Sequence, residues 1–353
     1  MEIFTHAMLG ATVAYAAMPA QAHLRMRERV LLGGTAAIFP DSDFAGFLID
    51  PLSFLTDWHQ GPTHSIVLLP LWAMLIGGVF AAAARRRSAF AEATRVSALG
   101  LASHIAADLI TVYGTAVLYP LSTVRWSLGT TYLFDLVFAS LVLVGLLSSV
   151  WMRRPRVAML GLAVICLYVG GQAWLQQRAI EIGRTSARDQ GLTFEQLSAL
   201  SQPLSPFNWK LIGKTGPVYF EAHLNLSGHR SWVPPLPYRE RLLELARAYR
   251  PPAQLAWRIR HQHGEQLELR ALVTRLWEDP RFAKFRRFAI YPSLSRIDRD
   301  GPETCIWFTD LRYDLPTLPD TFRYGFCRDN IDQPWRLYRL RYFSDNARQQ
   351  LMP

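Results

Sequence analysis

The stretch "DWHQGPTHSIVLLPLWAMLIGGVFAAAA", residues 57–84, sets two histidines and an aspartate at the mouth of a run, 65–84, that carries no charge. About 20 predominantly apolar residues cross a bilayer as one helix, so the run has the length and character of a membrane span. Ionisable side chains at such a place are costly to hold and mark a function. His59 and His64 are therefore read as working residues. The Gly61-Pro62 break frees His59 from the helix expected to start near His64, with Thr63 as its cap and an N-terminus favourable to anions.

Outward from that stretch, apolar runs recur at 5–20, 30–39, 94–119, 131–151 and 157–174. Four spans are expected, over 65–84, 94–119, 131–151 and 157–174, with a fifth near the N-terminus. Segment 30–39 is too short to cross and reads as a half-helix ending at Pro40. The opening "MEIFTHAMLGATVAYAAMPA" lacks the basic start of a signal peptide and reads as a retained first helix. Arginine clusters at 25–29, 85–87 and 153–156 share one side if the spans alternate, and short basic loops stay cytoplasmic. Loops 40–64 and 120–130 and the chain after 174 then face the periplasm of a Gram-negative inner membrane.

The two halves differ as materials. Residues 1–177 hold 11 arginines, no lysine and 9 acidic residues, leaving 27 basic and 19 acidic residues for the remainder. The expected architecture is an α-helical multi-span membrane domain over 1–177 with a C-terminal soluble α+β domain over 178–353. In that second half "NWKLIG" and "VYFEAHLNL" flank the turn signal Lys214-Thr215-Gly216-Pro217, a hairpin. "YRERLLELARAYR" and "EQLELRALVTRLWEDPRFAKFRRF" read as helical, "CIWFTDLRYDL" and "TFRYGFCRD" as strands. The basic surplus forms no stripe interleaved with aromatics, so no nucleic-acid partner is expected. Anionic membrane lipid is the better-matched partner. Of the three cysteines, Cys305 and Cys327 would pair in an oxidising compartment; two free thiols are the alternative.

Four polar clusters punctuate the apolar half: His6 in "FTHAMLGA", Asp41 and Asp43 in "FPDSDF", His59 with His64, and "HIAADLITVYGTAVLYP" at 104–120. His104 and Asp108 are four apart and differ by about 40° on a helix, so they share one face with Thr111. Uncompensated charge inside a span costs several kcal/mol, which makes a purely structural role for that pair hard to sustain. A lone histidine such as His6 is more often a satisfied core residue, and Asp41 and Asp43 alone could end a loop. Together the clusters point to metal ligation by His6, Asp41, Asp43, His59, His64, His104 and Asp108. These are imidazole and carboxylate donors suited to zinc, manganese or iron. They outnumber the ligands of one tetrahedral ion, so a divalent transition metal, as one or two ions and zinc first, is the expected cofactor. Asp41, Asp43, His64 and Asp108 are the expected catalytic centre; Thr63, Ser65 and Thr111 would orient the ligands around the cofactor.

In order, "THAMLGA", "PDSD", "HQGPTHS" and "HIAADLITVYGTAVLYP" resemble the motif series of a bacterial inner-membrane, metal-dependent hydrolase family, the LexA-binding, membrane-associated hydrolases. The likeness covers roughly residues 1–175, and "PLSPFNWKLI" followed by "VYF" is similar to the start of the soluble tail in many members. It implies a helical membrane domain and hydrolase activity on a poorly defined substrate; LexA binding is implied by the family label alone. Where many members carry Arg after the first histidine of "HQGPTHS", this chain has Gln60, which removes an anion-clamping guanidinium. The location favours an ester or phosphoester of a lipid-like molecule. A non-enzymatic membrane protein with a structural metal site and a partner-binding tail, and a transporter with His104 and Asp108 as proton relay, are the other readings.

Overall fold

The computed structural model describes residues 1–18, 23–229, 233, 239–342 and 344–351. The ends of two expected segments, at 19–20 and at 238, lie outside the described residues. The chain divides into two compact units. Met1–Ala45, Trp58–Leu175 and Ser201–Pro206 make the first; Gly46–Asp57, Gln176–Leu200 and Phe207–Pro353 make the second.

In chain order the first helices are α1 (Ile3–Ala16), α2 (Met26–Ile38), the one-turn α3 (Pro51–Ser53), α4 (Leu69–Ala83), α5 (Phe90–Leu109), α6 (Leu136–Met152) and α7 (Pro155–Asp189). Among the described residues α7 is the one helix long and apolar enough to cross a membrane by itself. Pro51–His64 and Leu69–Ala83 pass that test together but bend by 71° at their junction, and α1 and α6 are shorter apolar helices. One clear span candidate thus stands where four were expected, and the causes are local. Run 65–84 opens with a turn, in which Ser65 Oγ accepts from the backbone N–H groups of Val67 and Leu68 at 3.1 and 3.3 Å, before α4 starts at Leu69. Run 94–119 leaves the helix at Leu109: Gly114 takes φ +96°, and Thr115 pairs with Trp126 as an antiparallel bridge.

Small residues set the packing of α1, α2 and α5. A β-carbon at Gly10 would overlap Ala37 and the carbonyl of Gly33, and one at Gly100 would meet the same carbonyl. The three backbones approach that closely because no side chain intervenes. At one end of these helices Arg29 is buried, pairs with Glu92 of α5, and donates to the carbonyls of Ala14 and Ala17. Glu92 also accepts from the backbone N–H of His23 and Leu24 at 2.6 and 3.1 Å. Arg29, a member of the 25–29 arginine cluster, is a buried brace. Arg86 reaches Glu28 at 2.8 Å, so the clusters at 25–29 and 85–87 meet at this end.

The second unit is α+β. One sheet has the order β1 (Gln196–Ser201), β2 (Asn208–Thr215), β3 (Val218–Asn225), β4 (Arg258–His261). β2 and β3 form the expected hairpin, with Thr215 opposite Val218 and Gly216 at φ +56°. The other sheet is a meander of β5 (Pro292–Asp300), β6 (Glu303–Asp310), β7 (Tyr324–Arg328), β8 (Arg336–Leu340) and β9 (Arg348–Gln350). Helices α8 (Arg239–Ala248), α9 (Leu267–Trp277) and α10 (Ala283–Phe288) complete it. Trp277 of α9 and Phe285 of α10 pack with Phe282, Phe308 and Phe326 in an aromatic core. Cys305 and Cys327, opposite each other on β6 and β7, form a disulfide. Cys166 is free.

Candidate metal centre

At the end of α1, α2 and α5 away from Arg29, four chain segments bring their polar clusters together. α1 presents His6, and α5 presents His104 and Asp108 one turn apart. The 3-10 run Phe39–Leu48 that follows α2 presents Asp41 and Asp43. Pro40 ends α2 and turns the chain there, as its fixed φ and missing N–H require. The fourth segment is 58–65. Gly61 takes φ −109° and ψ −111°, and Pro62–His64 form a 3-10 turn that points His64 inward. His64 therefore does not stand at the N-terminus of an α-helix, as expected from Thr63; that helix begins at Leu69.

Two sets of donors converge. Asp41, His64, His104 and Asp108, all buried, offer ligand atoms within 4.8 Å of one another; so do Asp41, Asp43 and His59. Asp41 belongs to both. In the first set His64 Nε2 and His104 Nε2 lie 3.0 Å apart, with Asp108 Oδ2 at 3.3 and 3.2 Å from them and Asp41 Oδ1 at 3.7 Å from each.

The hydrogen-bond partners assign the tautomers. His104 Nδ1 lies 2.6 Å from the carbonyl oxygen of Ala37, which can only accept, so Nδ1 carries the proton. Thr63 Oγ1 donates to Asp43 Oδ2 at 3.3 Å and accepts from His64 Nδ1 at 3.0 Å. Both Nε2 atoms are then lone pairs facing one another, flanked by carboxylate oxygens. Four electron donors aimed at one point repel unless a cation lies among them, and the two-imidazole, two-carboxylate set is one that zinc, manganese or iron accepts. The residues present fit a divalent transition metal.

In the second set His59 Nδ1 lies 3.0 Å from Asp43 Oδ1, and its ring is edge-on to Phe44 and Tyr113. His6 is in neither set. It stacks on His104 with ring centroids 3.7 Å apart, its Nε2 is 3.2 Å from Asp108 Oδ1, and neither ring nitrogen makes a well-directed hydrogen bond among the described residues.

Of the expected orienting residues, Thr63 contacts two candidate donors, Asp43 and His64. Ser65 and Thr111 do not touch the ligands' side chains: Ser65 donates to the carbonyls of Tyr119 and Val117, and Thr111 Oγ1 donates to the carbonyl of Asp108 at 2.8 Å. Both hydroxyls are consumed by backbone where the helical reading failed. Gln60 takes the place expected of them. It is buried at φ +54°, donates from Nε2 to Asp108 Oδ2 at 2.9 Å, and accepts from Thr115 Oγ1 at 2.9 Å. Arg125 steadies the same loop, donating to the carbonyls of His59 and Gly114 at 2.9 and 3.1 Å. The Met1 amine lies 2.6 Å from Asp108 Oδ1. Nothing in the residue pattern singled out Gln60 as an orienting group, because its role depends on a backbone conformation that the sequence does not encode by residue type.

A helical unit with apolar faces and, at one end of its helices, a buried His/Asp cluster that could hold a metal ion fits a membrane-protein class. The chain belongs to the YdjM inner membrane protein family, whose model matches residues 1–179 and so includes every donor named above. No curated protein and no solved structure matches the chain.

Proposed function

We propose that the chain is a membrane-embedded, metal-dependent hydrolase acting on an ester or phosphoester of a lipid-like substrate. The observation that carries this reading is Asp41, whose carboxylate belongs to both converging sets and so sits where it would bridge two cations. Asp41, His64, His104 and Asp108 would hold one divalent transition metal, with zinc the first choice and manganese or iron the alternatives. Asp41, Asp43 and His59 would hold a second. Paired cations bound there supply Lewis-acid polarisation of the scissile oxygen and lower the pKa of water. The chain's own residues keep the donors aimed: Thr63 fixes the ring of His64, the Ala37 carbonyl fixes His104, and Gln60 fixes Asp108.

The same reading puts the second unit in the periplasm. The Cys305–Cys327 disulfide supports that placement, because structural disulfides persist in oxidising compartments. LexA binding rests on the family label alone and is not part of the proposal. A second reading, a non-enzymatic protein whose metal is structural, is favoured by one observation: the four donors of the first set are all buried, as in a closed site.

Elemental analysis of the detergent-purified chain tests the centre. Wild type is expected to carry transition metal, and His64→Ala and Asp108→Ala to carry far less; equal content in all three sinks the centre. Release of fatty acid or phosphate from inner-membrane lipid extract, abolished by a chelator and restored by zinc, supports the hydrolase. Full metal content with no release favours the structural reading.

A further inference from the structure

The second unit holds a charged cavity that the metal chemistry leaves unused. It measures about 520 Å³. Glu221 and His223 alternate on β3 and so share a face; Lys210 of β2 lies opposite His223, and Arg258 of β4 opposite Glu221. Arg260, two residues on from Arg258, lines the same cavity with Arg250, whose backbone bridges to β3 at Leu224. The segment after β6 closes the other side with Asp314 and Asp320.

The charges do not cancel. Lys210 is fully buried and committed to the protein: its Nζ donates to the carbonyls of Leu311 and Asp314 and lies 3.1 Å from Glu221 Oε1. Burial pushes the Glu221 carboxyl up, but the cations beside it, Lys210 first, outweigh that and bring it down to about 2. Lys210 and Glu221 therefore offset one another. Burial pushes Asp314 up to about 7 against the pull of Lys210, so near neutrality it is only partly ionised. Burial also brings His223 down to about 4, which leaves its imidazole neutral. Asp320 accepts from Ser295 Oγ. Arg260 has a loose partner, Asp314 Oδ2 at 3.6 Å. Arg250 and Arg258, exposed at the cavity's mouth, have no carboxylate partner among the described residues; His223 Nε2 lies 3.5 Å from Glu221 Oε1 and makes no hydrogen bond there.

Three guanidiniums facing a cavity, two of them without a counter-ion, form a fork array suited to phosphate oxygens. The neutral imidazole adds one more group able to donate or accept. The volume exceeds one phosphate and falls in the range of small-molecule sites.

We propose that the cavity bounded by Arg250, Arg258, Arg260 and His223 binds a phosphoester, with the phosphate on the arginines and a small polar substituent toward Asp314 and Asp320. The phosphoester is a soluble glycerophosphate-type molecule or a phospholipid headgroup; the recognition chemistry is shared.

The test is calorimetric titration of the full chain in detergent with inorganic phosphate and with glycerol 3-phosphate, repeated on Arg250→Gln/Arg258→Gln and on Arg184→Gln. Arg184 is exposed on α7 and does not line the cavity. Saturable binding is expected, weakened at least tenfold in the double variant and unchanged in Arg184→Gln. Phosphate held at the metal centre would survive the double variant, so the lost component reports the cavity alone. Absence of saturable binding with both probes, or equal weakening in Arg184→Gln, overturns the proposal. Nanodiscs then separate the sources. Preference for phosphatidylglycerol over phosphatidylcholine that the double variant abolishes identifies a headgroup, whereas glycerol 3-phosphate binding without that preference identifies a soluble ligand.

Discussion

Asp41 is the residue on which the binuclear reading turns. Its carboxylate is shared by the His64/His104/Asp108 set and the Asp43/His59 set, whereas Asp43 serves only the second. Asp41→Asn is therefore expected to empty both positions. Asp43→Asn is expected to keep the first ion, retaining about one of about two per chain in a two-metal centre. Metal-to-protein ratios for the two variants check this, and equal losses would remove the bridging role from Asp41. The clustering of the candidate donors was legible because charge is so rare in this half that each exception stands out, and His104 with Asp108 needed only helical spacing. What surrounds them was less legible. Thr63 bonds the ring of His64, whereas the hydroxyls of Ser65 and Thr111 bond backbone carbonyls, because a hydroxyl serves whichever acceptor the local backbone brings nearest.

At the level of elements, local signals succeeded and length arguments did not. The β2–β3 hairpin was readable because Gly216 supplies the left-handed φ that the turn needs. The helical reading of "EQLELRALVTRLWEDPRFAKFRRF" yields α9 and α10, parted at Asp279-Pro280, where Pro280 opens a 3-10 turn. Run 94–119 shows the opposite case. Hydropathy alone makes it one span, yet ten residues of it are not helical. Val112–Gly114 turns the chain so that Ala116 N–H reaches the carbonyl of Gln60 and Leu128 N–H that of Leu109. The first of those bonds ties the 58–65 segment, and with it His59 and His64, to the chain leaving α5. A composition measure cannot register either bond, since each joins residues that are distant in sequence. The irregular stretch brings the candidate donors together, and several of its backbone groups bond to the loops it touches, among them Thr115 with Trp126 and the Val117 carbonyl with Ile66 N–H, as non-helical backbone in a membrane protein requires.

For the whole molecule, the Arg29–Glu92 brace and the metal donors occupy opposite ends of α5. The proposed orientation, with the arginine clusters cytoplasmic, would turn the candidate donors the other way and send the chain beyond α7 to the periplasm. A reporter that works only in the periplasm, fused after residue 353, is expected to be active; activity of a cytoplasmic reporter alone would reverse the orientation. The same geometry fixes a height. From Glu92 to His104 the helix rises about 18 Å, and α1, which carries His6, is about 21 Å long in all. The hydrocarbon of a bilayer is about 30 Å thick. Hydrophobic mismatch of this sign is taken up by thinning of the surrounding lipid. The outer leaflet would then dip toward His59 and Asp43, so that a lipid ester meets the centre without leaving its monolayer. Reconstituted in phosphatidylcholines of increasing chain length, the protein should hydrolyse lipid fastest in the thinnest bilayer that keeps it folded. A rate indifferent to thickness would mean that substrate arrives from water instead.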